Sequence, residues 1–88
     1  MRAVRVVIHG RVQGVFFRDA VSTEGERIGV AGWVRNCANG TVEAVFEGDV
    51  DAVQRMIDLC RRGSEQAAVE RVDTEDAEPE GLSGFSVR

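Results

Sequence analysis

The chain has no lysine and no tyrosine, and all eleven of its basic residues are arginine. Without lysine there is no side-chain amine for Schiff-base chemistry. His9 is the only histidine. No Ser-His-Asp order and no cluster of metal ligands can be drawn from the chain. The two cysteines, Cys37 and Cys60, lack the spacing of a zinc or redox motif, which removes a Cys-x-x-Cys metal chaperone from consideration. No apolar run approaches the roughly 20 residues that span a bilayer. The N-terminus shows no basic stretch followed by a long apolar one, so no leader is read there. These absences lead to the expectation of a cytoplasmic protein with free thiols. The net charge of −4 argues against a general nucleic-acid binder. So does the lack of an aromatic pair spaced along central strands, which a ferredoxin-like RNA binder would use.

What remains is an ordinary globular composition, 43% hydrophobic and 30% charged. Eighty-eight residues make a single domain, 1–88, around one core. Residues 3–9 alternate, with Val4, Val6 and Ile8 on one face and Arg5, Val7 and His9 on the other, which predicts a strand. Phe17, Ala20, Val21 and Ile28 form a helical stripe that Gly29 stops. A second strand covers 30–36. Asn39-Gly40 marks a tight reversal into a third over 41–47. Asp49 caps a second helix whose stripe is Val50, Val53, Met56/Ile57 and Cys60, closed by Gly63. Residues 67–74 read as a fourth strand, 75–81 as a solvated acidic loop, and 82–87 as a short last strand. The order β-α-β-β-α-β plus a terminal strand predicts an α+β, ferredoxin-like split βαβ sandwich. Its sheet is antiparallel-rich, with both helices on one face.

The most informative segment is Gly10-Arg11-Val12-Gln13-Gly14-Val15-Phe16-Phe17-Arg18-Asp19. A strand ends in a glycine-bracketed loop, and an arginine stands where a helix begins. Such a loop can turn successive backbone N–H groups inward, and a helix N-terminus adds partial positive charge. A cation at that end opposes the helix dipole, a local conflict that an anion would relieve. Arg18 offers a guanidinium fork that matches phosphate oxygens. The segment therefore reads as a cradle for a small phosphate group. The side chains of Val15, Phe16 and Phe17 are read as packing. His9 reads as structural or exposed rather than catalytic, Trp33 as packing, and Arg11 and Arg35 as solvated charges.

With both motifs placed, nearly all of the chain resembles the acylphosphatase family. The first motif stands as Gly10-Arg11-Val12-Gln13-Gly14-Val15-Phe16-Phe17-Arg18. The second is Gly32-Trp33-Val34-Arg35-Asn36, followed by Asn39-Gly40-Thr41-Val42-Glu43. The resemblance implies hydrolysis of the carboxyl–phosphate anhydride of a small-molecule acyl phosphate, with no metal or organic cofactor; the chain's size makes a monomer the simplest reading. It also implies that Arg18 binds the phosphoryl group and that Asn36 positions the attacking water. Backbone donors to the phosphate would come from Arg11, Val12, Gln13, Gly14, Val15, Phe16 and Phe17. Three positions depart from common family usage: Ser64 in place of proline, Gly25 in place of alanine, and Asn39 in place of aspartate. The first two are expected to lower stability. A phosphate-binding module without turnover is the rival that shares this fold.

Overall fold

The computed structural model describes residues Met1–Arg88. Its spine is β1 (Arg2–Arg11), which α1 (Phe17–Ile28) connects to β2 (Ala31–Asn36). Then follow β3 (Val42–Gly48), α2 (Val50–Arg62), β4 (Ala68–Asp76) and β5 (Phe85–Val87). The sheet order is β4-β1-β3-β2-β5. Strand β1 pairs antiparallel with β3 and β4, β2 pairs antiparallel with β3, and β5 lies parallel to β2. This is the ferredoxin-like α+β arrangement that the element order predicts.

The two-residue period of a strand decides which side chains meet the helices. The register Val4↔Phe46, Val6↔Ala44 and Ile8↔Val42 stacks apolar residues on one face, and Val34 joins them opposite Ala44. These residues form one core with Phe17 and Val21 of α1 and with Val53, Met56, Ile57 and Cys60 of α2. The opposite face presents Arg5, Glu43, Arg35 and Trp33. Burial of the Cys60 thiol pushes its pKa up to about 12, so it stays a neutral packing group.

Several boundaries differ from the sequence reading. Strand β4 runs on through Glu75 and Asp76, which pair with Arg5 and Val4. On an exposed edge strand, charged residues sit on both faces, so alternation gives no signal there. The last strand is shorter than 82–87 because Gly84 bends the chain just before Phe85. The loop before it is anchored rather than merely solvated. The buried Glu47 carboxylate accepts hydrogen bonds from the amides of Glu80, Gly81 and Leu82 at 2.7–3.2 Å. Asp49 holds the N-cap position of α2 but makes no side-chain capping bond. Val50, at the open end of the α2 stripe, is exposed.

Gly25 has a packing role that sequence did not reveal. A Cβ built there would lie 2.8 Å from the Phe85 ring, which packs against the core and stacks with Phe46. Gly10 is required for another reason. Its φ is +128°, the β1–β4 register shifts beside it, and an added Cβ would stand 2.2 Å from the Ala68 carbonyl oxygen. Past the shift, Gly10 and Arg11 stay paired with Val69 and Ala68 as the chain enters the loop.

Candidate active site

The loop between β1 and α1 makes its shape from two left-handed residues. Gly14 has φ 73°, which glycine adopts freely. Phe16 has φ 60°, the only positive φ at a non-glycine residue, and it occupies the N-cap of α1. A left-handed phenylalanine costs on the order of 1–3 kcal/mol and persists only where its surroundings hold it. Val12, Val15 and Phe17 hold it, because all three are buried in the core. Ser64 adds a hydrogen bond to the Val15 carbonyl at 3.4 Å.

The consequence is a run of free donors. Phenylalanine has no side-chain acceptor, so α1 begins without a side-chain cap. The backbone N–H groups of residues 13–19 find no acceptor in the protein, and the first amide of the helix to do so is that of Ala20, bonded to the Phe16 carbonyl at 3.1 Å. Val12, Gly14, Phe16, Phe17, Arg18 and Asp19 line a pocket of about 230 Å³ at this point. Orphan amides at a helix start, together with the dipole, make that pocket attractive to an anion. Arg18 makes no ion pair. Its one hydrogen bond, from Nη1 to the Arg88 carbonyl oxygen, is long at 3.4 Å.

The other residues expected at the site fall into distinct roles. Arg11 is the last residue of β1, paired with Ala68 and exposed, and it does not line the pocket. Gln13 does not line it either. Its Nε2 donates to the carbonyls of Cys37 at 2.7 Å and Thr41 at 2.9 Å. It is thus a strut from the loop to the turn that follows Asn36. That turn is tightened by Asn39, whose Oδ1 accepts from the amide and the hydroxyl of Thr41. The side chains of Val15 and Phe17 pack as expected. Phe16 does not: its side chain is 72% exposed. With its neighbours filling the core on either side, the left-handed turn points this ring outward.

Asn36 ends β2 and lines a neighbouring cavity of about 570 Å³ with Trp33, Arg35, Glu43 and Arg88. The two pockets share no residue. Two contacts join them: the Gln13 strut reaches Cys37, next to Asn36, and Arg18 touches Arg88. Asn36 Oδ1 is the one buried side-chain polar atom without a partner. A buried acceptor left unpaired costs about 1–3 kcal/mol, so this oxygen has the capacity to accept a hydrogen bond.

The open sheet face carries a charge network that strand register alone assembles. Glu43 is buried between Arg5 and Arg35, the latter bonding it at 2.7 Å. Burial pushes its carboxyl up, but the hydrogen bonds from Arg35 and Arg5 outweigh that and hold it below the usual carboxylate range. Trp33 lies under two guanidiniums, Arg88 at 4.5 Å and Arg35 at 5.8 Å from its centroid. His9 is paired with Asp73 at 3.0 Å and approached by Arg71, consistent with a structural role.

Fold and site together describe a small α+β domain with an unpaired amide cradle between its first strand and first helix. The acylphosphatase family model matches residues 4–87. A curated acylphosphatase of Rubrobacter xylanophilus is 52% identical, covering 99% of this chain and 80% of its own. One of Gloeobacter violaceus is 54% identical, covering 93% and 88%. The crystal structure of acylphosphatase from Bacillus subtilis superposes with a TM-score of 0.96 at 35% identity, covering 100% of this chain and 99% of that one. This chain belongs to the acylphosphatase family and is an enzyme of the hydrolase class.

Proposed function

We propose that residues 1–88 act as one monomeric, cytoplasmic domain that hydrolyses the carboxyl–phosphate bond of acyl phosphates. Arg18 and the cradle amides bind the phosphoryl group, and Asn36 positions the attacking water. The observation that carries this reading is the run of unpaired amides at residues 13–19 beside the Arg18 guanidinium, which makes no ion pair and only one long hydrogen bond. No helix is long and apolar enough to cross a membrane.

The chemistry explains why so few side chains suffice. The leaving group is a carboxylate whose conjugate acid has a pKa of roughly 4–5, by analogy with side-chain carboxyls. It departs with the electron pair of the breaking P–O bond and needs no general acid. The water oxygen forms the new P–O bond, and its proton passes to a phosphate oxygen. The products are a carboxylate and inorganic phosphate. Charge on the equatorial phosphoryl oxygens is met by main-chain amides and one guanidinium, which are preorganised and so lose little energy to reorientation during the reaction. Asn36 aims the water through its amide without acting as a strong base. The reading uses no metal or organic cofactor.

Steady-state hydrolysis of benzoyl phosphate tests it, in EDTA and with circular dichroism to verify folding. Arg18→Ala is expected to lose about 10²–10³ in rate, the usual cost of one preorganised donor. Arg18→Lys is expected to recover little, since an ammonium lacks the planar fork. Full activity in a folded Arg18→Ala variant would reject the assignment. Asn36→Ala is expected to lower kcat more than phosphate affinity. Binding of phosphate without any turnover by the wild type would favour the non-catalytic module instead.

A further inference from the structure

Segment 77–84 crosses the end of the sheet from one edge to the other. Strands β4 and β5 are the two edges, with β1, β3 and β2 between them. At this end Ala3, Glu47 and Ala31 stand side by side across the three inner strands. The crossing chain is fastened to each strand it passes. At β1 the Ala77 amide donates to the Ala3 carbonyl at 2.9 Å, and at β2 the Gly32 amide donates to the Gly84 carbonyl at 2.9 Å. At β3, the central strand, the fastening is a side chain. Glu47, only 3% exposed, accepts from three successive amides: Glu80 on Oε2, then Gly81 and Leu82 on Oε1. Gly81 has φ +77°, and such a left-handed residue lets neighbouring N–H groups converge on one anion. A buried carboxylate is costly unless its oxygens are bonded. All the bonds this one makes go to the crossing segment, so its charge specifies where that segment lies.

The segment leads into the site. Strand β5 follows it, parallel to β2, and Arg88 comes next. The Arg88 amide donates to the Val34 carbonyl at 2.8 Å, and its guanidinium lies over Trp33 at 4.5 Å. Its carbonyl accepts the one hydrogen bond that Arg18 makes. A guanidinium has five N–H donors, so this contact leaves four for a phosphoryl group. It also restrains a flexible side chain before the anion arrives, which lowers the ordering cost of binding. We infer that Glu47 is a positioning residue of the phosphate site. By pegging segment 77–84 it sets β5, and through the Arg88 carbonyl it orients the Arg18 guanidinium. The inference rests on the reading of Arg18 as the phosphoryl-binding group.

A double-mutant cycle tests it. Glutamine keeps the length of Glu47 but sets an NH₂ group against an amide donor, so at least one of the three bonds is lost. Aspartate keeps the charge and draws the carboxylate back by one methylene. Phosphate affinity is measured by ¹H–¹⁵N titration of the wild type, Glu47→Gln, Arg18→Ala and the double variant, at a temperature where circular dichroism shows all four folded. Glu47→Gln is expected to weaken phosphate binding about three- to tenfold, the scale of one neutral hydrogen bond. In the Arg18→Ala background it is expected to add nothing, because the group it acts through is gone. If Glu47→Gln does not fold, Glu47→Asp takes its place in the same cycle. Wild-type affinity in the folded Glu47 variant would overturn the positioning role. So would an equal loss in both backgrounds, which is the mark of a merely structural residue. An Arg18→Ala protein that binds phosphate as the wild type does would reject the reading of Arg18, and the inference with it. The expected cycle in a protein that fails to hydrolyse benzoyl phosphate would reject the hydrolase reading and uphold the role of Glu47.

Discussion

Replacing Gln13 with alanine removes both hydrogen bonds that tie the β1–α1 loop to the turn after Asn36. Its Nε2 lies 2.7 Å from the Cys37 carbonyl and 2.9 Å from that of Thr41, so neither contact is marginal. A neutral hydrogen bond contributes a net of about 0.5–1.5 kcal/mol, so the pair contributes about 1–3 kcal/mol. For a domain of this size, a loss near 2 kcal/mol lowers Tm by roughly 8–16 °C. The kinetic effect has a separate origin. Cys37 is the neighbour of Asn36, and the strut sets where that amide stands relative to the cradle. A displacement of about 1 Å in a reacting group costs on the order of 10² in rate. The variant should therefore lose kcat even at temperatures where it is fully folded. Gln13→Glu should be worse, because a carboxylate would face two carbonyl oxygens with no proton to offer. Thermal melts by circular dichroism and benzoyl phosphate kinetics at 25 °C check both effects. A Gln13→Ala protein with wild-type Tm and wild-type kcat would refute the strut.

Other outcomes follow from the packing and the charge network. Glu43 has a folded-state pKa below its ordinary value of 4.5, so its ion pairs stabilise fully above that pH and are lost as pH falls through the depressed value. Denaturant titrations from pH 6 to pH 2 should show stability falling in that window, and Glu43→Gln should flatten the fall. Gly25→Ala should lower Tm, although alanine is the better helix former by about 1 kcal/mol. The added methyl meets the Phe85 ring at 2.8 Å, and overpacking costs about 1–3 kcal/mol. Gly25→Ala combined with Phe85→Leu should recover the loss, and a rise in Tm for the single variant would contradict the packing argument. Cys60 should resist thiol reagents in the native protein and react only after unfolding, because its thiol is buried and its pKa lies at about 12.

The parts of the fold that sequence reveals are those where one face is buried. Val4, Val6 and Ile8 alternate because the helices cover one side of β1, and α2 shows its stripe for the same reason. Strand β4 shows how the signal fades: an exposed edge buries little on either side, so Glu75 and Asp76 look like loop. The site divides along a similar line. The Gly10–Arg18 motif exposes the cradle because a backbone anion site needs its glycines and its arginine at fixed spacing. It leaves hidden what each side chain does. Gln13 reads as a backbone donor, and its side chain's work as a strut stays hidden because its partners Cys37 and Thr41 are distant in sequence. Phe16 reads as packing and is exposed, since only the left-handed turn reveals where its ring points. The Arg5–Glu43–Arg35 cluster depends on strand register, which neither residue type nor local spacing encodes. Gly25 looks like a weak point in a helix until Phe85 is placed against it.

If the amides of residues 13–19 and the Arg18 guanidinium together hold the phosphoryl group, inorganic phosphate should occupy the same cradle. Titration of ¹⁵N-labelled protein with inorganic phosphate, followed amide by amide in ¹H–¹⁵N spectra, tests this most directly. Saturable shifts are expected to concentrate at Gln13 through Asp19, with a weaker response at the same amides in Arg18→Ala. Saturable shifts centred elsewhere, or an Arg18→Ala titration that matches the wild type, would contradict it.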